Sequence, residues 1–300
     1  MIPDGRTVRV RVPATSANLG PGFDALGLAL AWYDEVEMTV TGDRPSAVQV
    51  DGEGAGDVPL DDSHLIVASA RTCLAAKGFP PTGLRLTCHN TIPQARGLGS
   101  SAAAIVTGVL GAQVLAGGAP DDIGVFELAA IIEGHPDNVA ACVGGGATIA
   151  WQGKRGPRFT AFRPHPRIVP VVLIPDHAAS TAAARAALPD VVGHSDAARN
   201  AGRAALLVRA LTDRPDLLLD ATEDRLHQDQ RARVIPDTLR VVHELRSHGL
   251  PATVSGAGPA VLVLAVDTSV GAAHAFAPPG WSPRRVDVDV RGATVTSIGE

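Results

Sequence analysis

The sequence contains few aromatic residues and very few lysines. Aromatic residues make up 3% of the 300 residues, whereas apolar residues as a whole make up 45%, so the core must consist mainly of Ala, Val, Leu and Ile. A chain of this length can form one large domain or two modest ones, each with its own core. The only two lysines, Lys77 and Lys154, lie far in sequence from the glycine-rich loop described below. A Walker A loop, which ends in a lysine, is therefore excluded.

Charge and cysteine content exclude further classes of protein. A formal net charge of −5 argues against nucleic acid or an anionic membrane as the main partner. The sequence has no apolar run of about 18 residues, and its N-terminus has no basic segment followed by an apolar one. Cys73, Cys88 and Cys142 are widely spaced and form no metal-ligand pattern, which is typical of buried thiols in a reducing compartment. We expect a cytoplasmic protein that binds neither nucleic acid nor membranes.

A short glycine loop is the most informative segment of the chain. Residues 92–104 read IPQARGLGSSAAA, in which a proline stops a strand, two glycines form a loop and two serines precede an alanine-rich helix. Glycines let the backbone approach a ligand closely, and Ser100 or Ser101 can cap the helix. The free N–H groups and the positive end of the helix dipole favour an anion. The loop therefore predicts an anion site, and a nucleotide polyphosphate is the favoured ligand.

Two other interpretations of this loop are open. It could be an ordinary tight turn, since an isolated glycine loop before a helix is a weak signal. Residues 97–102 also satisfy a permissive G-x-G-x-x-A dinucleotide pattern, which requires an acidic residue ending a strand about 20 residues later. The corresponding segment, 117–122, is typical of a loop instead, so the dinucleotide interpretation is weak.

Hydrophobic periodicity and turn residues predict alternating strands and helices. The first strand covers residues 6–12 and ends at Pro13, before a turn-rich loop over 13–24. Another loop is expected over 134–139, and a domain boundary falls near 155–166. The second half is expected to be an α+β layer of antiparallel type. The main predicted helices cover residues 65–77, 101–116, 126–133, 196–212, 217–229 and 236–248, and strands of note cover residues 34–40, 47–50, 84–88, 147–151, 168–174 and 260–266.

Three segments together resemble motifs of the GHMP small-molecule kinases, and within them of the kinases that act on homoserine. Residues 13–24, 93–104 and 255–259 resemble the first, second and third motifs, in the family's order, and the likeness extends through nearly the whole chain. The resemblance implies an α+β fold of two domains with the site between them. The N-terminal ATP-binding unit, residues 1–163, would resemble ribosomal protein S5 domain 2, and the C-terminal unit, residues 164–300, would be ferredoxin-like.

The resemblance also implies ATP and Mg²⁺ as cofactors. Ser101 and Glu127 match the magnesium ligands, a set that suits a hard cation retaining phosphate and water ligands. Residues 61–66 lie where the family lines the adenine pocket, but the family's asparagine is missing near Ser63 or His64. The residues that match the nucleotide-binding positions are Pro93, Arg96, Gly97, Leu98, Gly99, Ser100, Ser101 and Ala102.

For the substrate, the resemblance implies a pocket for a zwitterionic amino acid. Asp24 would pair with the α-ammonium, and Arg185 and Arg231 would bind the carboxylate. Asn18 and Asn138 would orient the hydroxyl. The matching substrate positions are Asn18, Asp24, His135, Asn138, Thr181, Arg185, Arg231 and Gly256. The sequence departs from the family's pattern at Ala141, where a proline is expected. This difference concerns only the rigidity of the local loop.

The expected reaction is ATP-dependent phosphorylation of L-homoserine in threonine biosynthesis, with Asn138, Glu127 and Ser101 as the catalytic residues. Asn138 stands where other members of the family have an aspartate base, so positioning would carry the reaction, with Asp137 as an alternative base. Other functions are a mevalonate- or shikimate-type kinase of the same fold, or a catalytically silent nucleotide sensor. A homodimer is an open possibility for the assembly.

Overall fold

The computed structural model of the protein describes residues 2–298, which form two mixed layers of strands and helices. The strands are β1 (Thr7–Ala17), β2 (Leu26–Val40), β3 (Ala47–Gly52), β4 (Leu84–Asn90), β5 (Ala147–Gly153), β6 (Gly156–Phe162), β7 (Ile168–Pro175), β8 (Ala252–Val254), β9 (Val261–Val266), β10 (Trp281–Arg285) and β11 (Thr294–Ile298). The helices are α1 (Leu65–Ala76), α2 (Ser100–Leu115), α3 (Asp122–Glu133), α4 (Pro136–Gly144), α5 (Thr181–Ala186), α6 (His194–Thr212), α7 (Leu218–Ala221), α8 (Pro236–Ser247) and α9 (Val270–Ala275). Short 3-10 helices cover Pro215–Leu217 and Asp229–Arg231.

The larger sheet has seven strands and is built on the long strand β2. Its continuous path is β11-β1-β2-β4-β3, and β5 pairs with the first residues of β2 and with β6. The β3–β4 pair is parallel, whereas the other pairs are antiparallel. Alternate residues of β1 such as Val8 and Val10 are fully buried, because successive side chains of a strand point to opposite faces.

Helix α2 lies at the centre of the larger core, as its small residues predict. Thirteen of its sixteen residues are buried, and it packs against α1, α3, α4 and β1. Gly111 lies against the Met38 side chain, which an added Cβ would approach to 3.0 Å. This close packing holds the N-terminus of α2, and with it the glycine loop, in a fixed position.

The smaller sheet is antiparallel throughout, in the order β10-β7-β9-β8. Val171 and Leu173 on one face of β7 belong to a separate core with α8, whereas Val172 on the other face belongs to the larger core. The predicted antiparallel second half is confirmed. The two layers share the larger core, to which α6 and α7 also contribute.

Three local predictions are wrong. The first strand does not end at Pro13 but continues to Ala17 with a register shift between Pro13 and Ala14, because an irregularity in the ladder accommodates a residue without an N–H group. Residues 136–139, predicted as a loop, begin α4 with a proline at its first position, where a missing N–H group has no cost. Residues 156–162, within the segment where a domain boundary is expected, form β6, which pairs with β5. The helix expected over 217–229 is only one turn, α7.

The end of the chain, which the sequence assigns to the second unit, pairs with the first sheet. Strand β11 pairs with β1 from Thr7–Ile298 to Arg11–Thr294, and Leu30 forms an isolated bridge with Val288. The chain therefore returns to the first sheet after completing the second. No helix within residues 2–298 is long and apolar enough to cross a membrane.

Candidate active site

The glycine loop enters α2 through two left-handed residues. Gly99 is the N-cap of α2 with φ 72° and makes no side-chain cap bond, so the prediction that Ser100 or Ser101 caps the helix is wrong. An added Cβ at Gly99 would lie 1.9 Å from Thr15 Oγ1, and one at Gly97, whose φ is 77°, would lie 2.2 Å from the Ser255 carbonyl oxygen. Only glycine fits both positions, and the first N–H groups of α2 are left free for an anion.

The three segments singled out in the sequence meet at this loop. The Thr15 N–H donates to the Leu98 carbonyl at 3.0 Å and the Gly256 N–H to the Ala17 carbonyl at 3.2 Å. The Ser255 hydroxyl lies 2.7 Å from the Gly97 carbonyl oxygen and 2.8 Å from the hydroxyl of Ser16. Residues 13–24, 93–104 and 255–259 therefore form one site.

Three adjoining cavities follow one another along this site. The first cavity, about 320 Å³, is lined by α1, β2 and the start of α2. It is called the base cavity because it includes residues of segment 61–66, where the adenine base is expected. The phosphate cavity, about 260 Å³, shares Ser100 and Ser101 with it. The substrate pocket, about 40 Å³, shares His135 and Asn138 with the phosphate cavity. The substrate pocket is lined by Asn18, Asp24, His135, Asp137, Asn138, Thr181, Arg185, Arg231, Gly256 and Ala257. All eight predicted substrate residues thus surround one pocket.

Two buried polar residues line the base cavity. His64 caps α1, because its Nδ1 accepts the Ile66 N–H at 3.3 Å, and burial lowers its pKa. Asp34 Oδ1 accepts the N–H groups of Thr91 and Ile92 at 2.6 and 2.9 Å, and burial raises its pKa. His64 thus stands in the segment where the family's asparagine is missing, and only the fold brings Asp34 to the same cavity.

Ser101 and Glu127, which match the family's magnesium ligands, line different cavities in the structure. The Ser101 hydroxyl donates to Glu133 Oε2 at 2.7 Å, whereas Glu127 forms an ion pair with Arg158 of β6. Glu133 lines the phosphate cavity, and Glu127 lines a different cavity near Lys77. The carboxylate beside the glycine loop is therefore Glu133.

The charge and burial of this pair fit a divalent cation. Burial raises the pKa of Glu133, opposed by the hydrogen bond from Ser101, so the carboxylate would gain from a cation partner. Within residues 2–298 no three His, Cys, Asp or Glu side chains cluster as metal ligands do. A carboxylate and a hydroxyl suit Mg²⁺, which usually takes one or two protein oxygens and keeps phosphate and water ligands.

The two arginines of the substrate pocket differ in their partners and in their exposure to solvent. Arg185 donates two hydrogen bonds to the Asp24 carboxylate, at 2.8 and 3.1 Å, in a pair that is partly open to solvent. Arg231 is 2% exposed and donates to the carbonyls of Ala184 and Gly256 at 3.2 and 3.1 Å. The pocket therefore has one exchangeable ion pair and one fixed buried cation.

Asn138 stands between the phosphate cavity and the substrate pocket. Its Oδ1 accepts the Thr15 hydroxyl at 2.8 Å, and its Nδ2 donates to Asp137 Oδ1 at 3.4 Å, which leaves one amide N–H for another acceptor. Asp137 beside it is buried, and burial raises its pKa to about 7. Burial and the Arg185 charge lower the pKa of His135. A neutral amide donor and a protonatable carboxyl thus adjoin the same pocket.

Besides Asp34, sequence reasoning missed three residues of this site. Thr15 lies in the first motif, but its bond to Asn138 has no local signal. Glu133 is the last residue of α3, immediately before Gly134 and His135, and this position next to the motif could have drawn attention to it. His227 is fully buried and hydrogen-bonded to Arg231, four residues later in the chain. It lies in an irregular part of the segment 217–229, which the sequence predicts to be a helix.

Comparison with known proteins gives one consistent family. Residues 64–146 match the GHMP kinases N terminal domain, and residues 198–276 match the GHMP kinases C terminal domain. A homoserine kinase of Streptomyces avermitilis is 51% identical over 97% of this chain and 96% of its own length. One of Clavibacter michiganensis subsp. michiganensis is 49% identical over 99% and 96%. The crystal structure of homoserine kinase from Cytophaga hutchinsonii has a TM-score of 0.85 at 24% identity and covers 99% of this chain and 98% of its own.

Proposed function

The chain belongs to the GHMP kinase family, and we infer from this that it is a homoserine kinase, which transfers the γ-phosphoryl group of ATP to the hydroxyl of L-homoserine. The observation that carries the inference is the row of three adjoining cavities. Their order matches base, phosphates and amino acid, and the product would be O-phospho-L-homoserine for threonine biosynthesis.

The residues around the phosphate cavity fit Mg·ATP. The free N–H groups at the start of α2 and the loop over residues 93–102 would hold the phosphates, and Arg96 fixes the loop by donating to the carbonyls of Pro175 and Asp176. Ser101 and Glu133 would hold Mg²⁺, which supplies charge neutralisation to the phosphates when bound. This neutralisation matters because no lysine lies in the loop.

The substrate pocket fits a zwitterionic amino acid. Asp24 and Arg185 satisfy each other in the structure, and a zwitterion can exchange both contacts, its ammonium binding Asp24 and its carboxylate binding Arg185 and Arg231. A mevalonate- or shikimate-type acid has no ammonium group, so if its carboxylate bound Arg185, the Asp24 charge would be left unpaired. The comparisons do not favour such a substrate, and the Ser101–Glu133 pair argues against a silent nucleotide sensor.

Positioning and charge stabilisation can carry phosphoryl transfer, because its transition state is loose. The Asn138 amide, held by Thr15, would donate to the substrate hydroxyl and orient it but cannot accept its proton. Asp137 stays the alternative base, since its pKa of about 7 lies in the range of a general base. His135, Thr181, Asn18 and Gly256 would complete the walls around the amino acid.

The experiment is an ATP-consumption assay with and without L-homoserine, with the product identified by ³¹P NMR. We expect ADP release that depends on homoserine and one phosphomonoester product. A Glu133→Gln preparation purified in the same way controls for contaminating kinases, and 4-hydroxybutanoate, which lacks the ammonium group, tests the role of Asp24. ADP release that is the same with and without homoserine would refute the activity.

Two further expectations stay predictions. One is a cytoplasmic location, to which the three buried free cysteines are suited, and the other is a homodimer.

A further inference from the structure

His227 is a fully buried histidine that contacts both charged sides of the substrate pocket. It is 0% exposed, and its Nε2 lies 2.7 Å from the Gly20 carbonyl oxygen. Its Nδ1 lies 3.1 Å from Arg231 Nη1. Its ring stacks on Phe23, with ring centroids 5.0 Å apart, and Phe23 immediately precedes Asp24. One imidazole therefore connects the loop that carries Asp24 to the Arg231 guanidinium.

The hydrogen bonds determine which nitrogen of His227 carries the proton. The Arg231 guanidinium only donates, so Nδ1 of His227 must accept. The carbonyl of Gly20 only accepts, so Nε2 must donate. The ring is therefore neutral and protonated at Nε2, and no other protonation state satisfies both partners.

This arrangement leaves one end of Arg231 for a ligand. Its Nε donates to the Ala184 carbonyl, and its Nη1 donates to His227 and to the Gly256 carbonyl. Three of the five N–H groups are thus used, and both N–H groups of Nη2 are left. Because Arg231 is buried but lines the substrate pocket, Nη2 is the part that a carboxylate can reach.

We propose that His227 is a positioning residue for the amino-acid substrate, whose neutral imidazole sets the distance between the Arg231 guanidinium and the loop carrying Asp24. The proposal rests on the inferred homoserine kinase activity, in which Arg231 binds the carboxylate and Asp24 the ammonium. It assigns His227 no contact with the substrate. Its effect is on the spacing of the two charges that a zwitterion must meet at once.

The surroundings of His227 keep the ring neutral and its segment fixed. Asp224 Oδ1 lies 3.6 Å from Nε2, Arg231 lies on the opposite side, and Asp24 is the other charge that acts on the ring. Burial is the largest effect and lowers the pKa of His227. Asp224 Oδ2 also accepts the N–H groups of His227 and Gln228 at 3.0 and 2.8 Å, which holds the backbone beneath the ring.

Two substitutions separate the bonds of His227. In His227→Asn the amide oxygen lies as far along the side chain as Nδ1 and can still accept from Arg231. In His227→Gln the amide nitrogen corresponds to Nε2 and can still donate to Gly20, but no acceptor faces Arg231. We expect His227→Gln to weaken homoserine binding about tenfold to hundredfold, the usual range for a lost hydrogen bond to a charged group. We expect His227→Asn, which loses the bond to Gly20 but keeps an acceptor for Arg231, to weaken homoserine binding less, by about threefold to tenfold.

The measurements are calorimetric titration with L-homoserine, the Michaelis constants for both substrates, ADP binding and a thermal melt. ADP binding should be equal in all three proteins, and the Michaelis constant for ATP should not change. Homoserine affinity equal to that of the parent in either variant, or equal weakening of both substrates, would overturn the proposal. A ¹⁵N-histidine NMR spectrum of the parent needs no variant, and any form other than the neutral Nε2-protonated ring at neutral pH would overturn it too. Homoserine-dependent turnover by the parent is judged separately, so failure of the positioning role and failure of the proposed activity are distinguishable.

Discussion

At the scale of single residues, the carboxylate that faces the glycine loop is the last residue of α3. Glu127 and Glu133 are six residues apart on this helix, so they are rotated by roughly 240° relative to one another. One of them faces Ser101, and the other faces Arg158 of β6. A motif match that tolerates a shift of a few residues cannot distinguish Glu127 from Glu133. The two glutamates are distinguished by the side of α3 on which each lies.

The Glu133→Gln substitution should lower turnover about tenfold to hundredfold and raise the magnesium concentration needed for half-maximal activity. The physical reason is loss of the one negative charge beside Ser101, while shape and hydrogen bonding are kept. Turnover across a magnesium titration measures the effect, and a thermal melt checks the fold. Glu127→Gln is the matched control and should show nearly normal turnover. A larger loss of turnover in Glu127→Gln than in Glu133→Gln would show that Glu127, rather than Glu133, is the magnesium ligand.

The Asp137→Asn substitution should stabilise the protein at alkaline pH. The Asp137 pKa is raised from 3.8 to about 7 by burial, so the folded state binds its proton more tightly than the unfolded state does. Between these two values the stability of the parent falls as pH rises, by up to about 4 kcal/mol for a shift of this size. The melting temperature of the variant relative to the parent should therefore rise from pH 4 to pH 8. A difference that does not change with pH would contradict this.

The same variant distinguishes the two mechanisms. If Asn138 orients the hydroxyl and no base is needed, Asp137→Asn should cause a modest loss of turnover and keep the acidic limb of the pH profile. If Asp137 is the base, nearly all turnover and that limb should be lost. Homoserine binding must be shown to be intact in the variant before either result is interpreted.

At the scale of elements, the glycine loop works because its backbone is left-handed where it meets the first motif. Gly99→Ala would bring a Cβ to 1.9 Å from Thr15 Oγ1, in addition to the roughly 1–2 kcal/mol that a left-handed alanine costs. We expect a clear loss of ADP affinity and of turnover, because Thr15 also holds Asn138. Binding of ADP by calorimetry and a thermal melt are the measurements.

Gly78→Ala is the control for this element. Gly78 has φ 77°, close to the 72° of Gly99, but an added Cβ has no neighbour within 4 Å. It should therefore lose only the stability that a left-handed alanine costs and bind ADP normally. If both variants bind ADP equally well, the contact of Gly99 with Thr15 has no role in the nucleotide site.

At the scale of the whole molecule, the end of the chain completes the first sheet. Removing residues 294–300 takes away β11 and exposes the edge of β1, which invites pairing between molecules. We expect a fall in melting temperature of about 5–10 °C, which corresponds to a loss of a few kcal/mol in a chain of this size, and stronger light scattering on heating. A chain that ends at Ile298 keeps β11 and should behave like the parent. Equal melting temperatures for the two truncated chains would show that β11 contributes little.

Features that depend on a local pattern could be predicted from the amino-acid sequence. The alternation in β1, the apolar run of β7 and the small residues of α2 predicted their elements, because burial of one strand face or of a whole helix leaves a periodic signal. The glycines of the loop predicted an anion site, because positive φ and close approach exclude other residues. The resemblance carried by the three motifs predicted the fold, and the eight substrate residues matched through it line one pocket in the structure.

Features that depend on which distant residues meet could not be predicted from the sequence and are known from the folded structure. It placed Glu133 rather than Glu127 beside Ser101, paired Asp24 with Arg185 across 161 residues, and brought β11 back to β1. It also set His227 between Gly20 and Arg231. Such contacts have no period and no local motif, because they arise from the packing of whole elements, in which the direction of each side chain is fixed by helix phase and strand register.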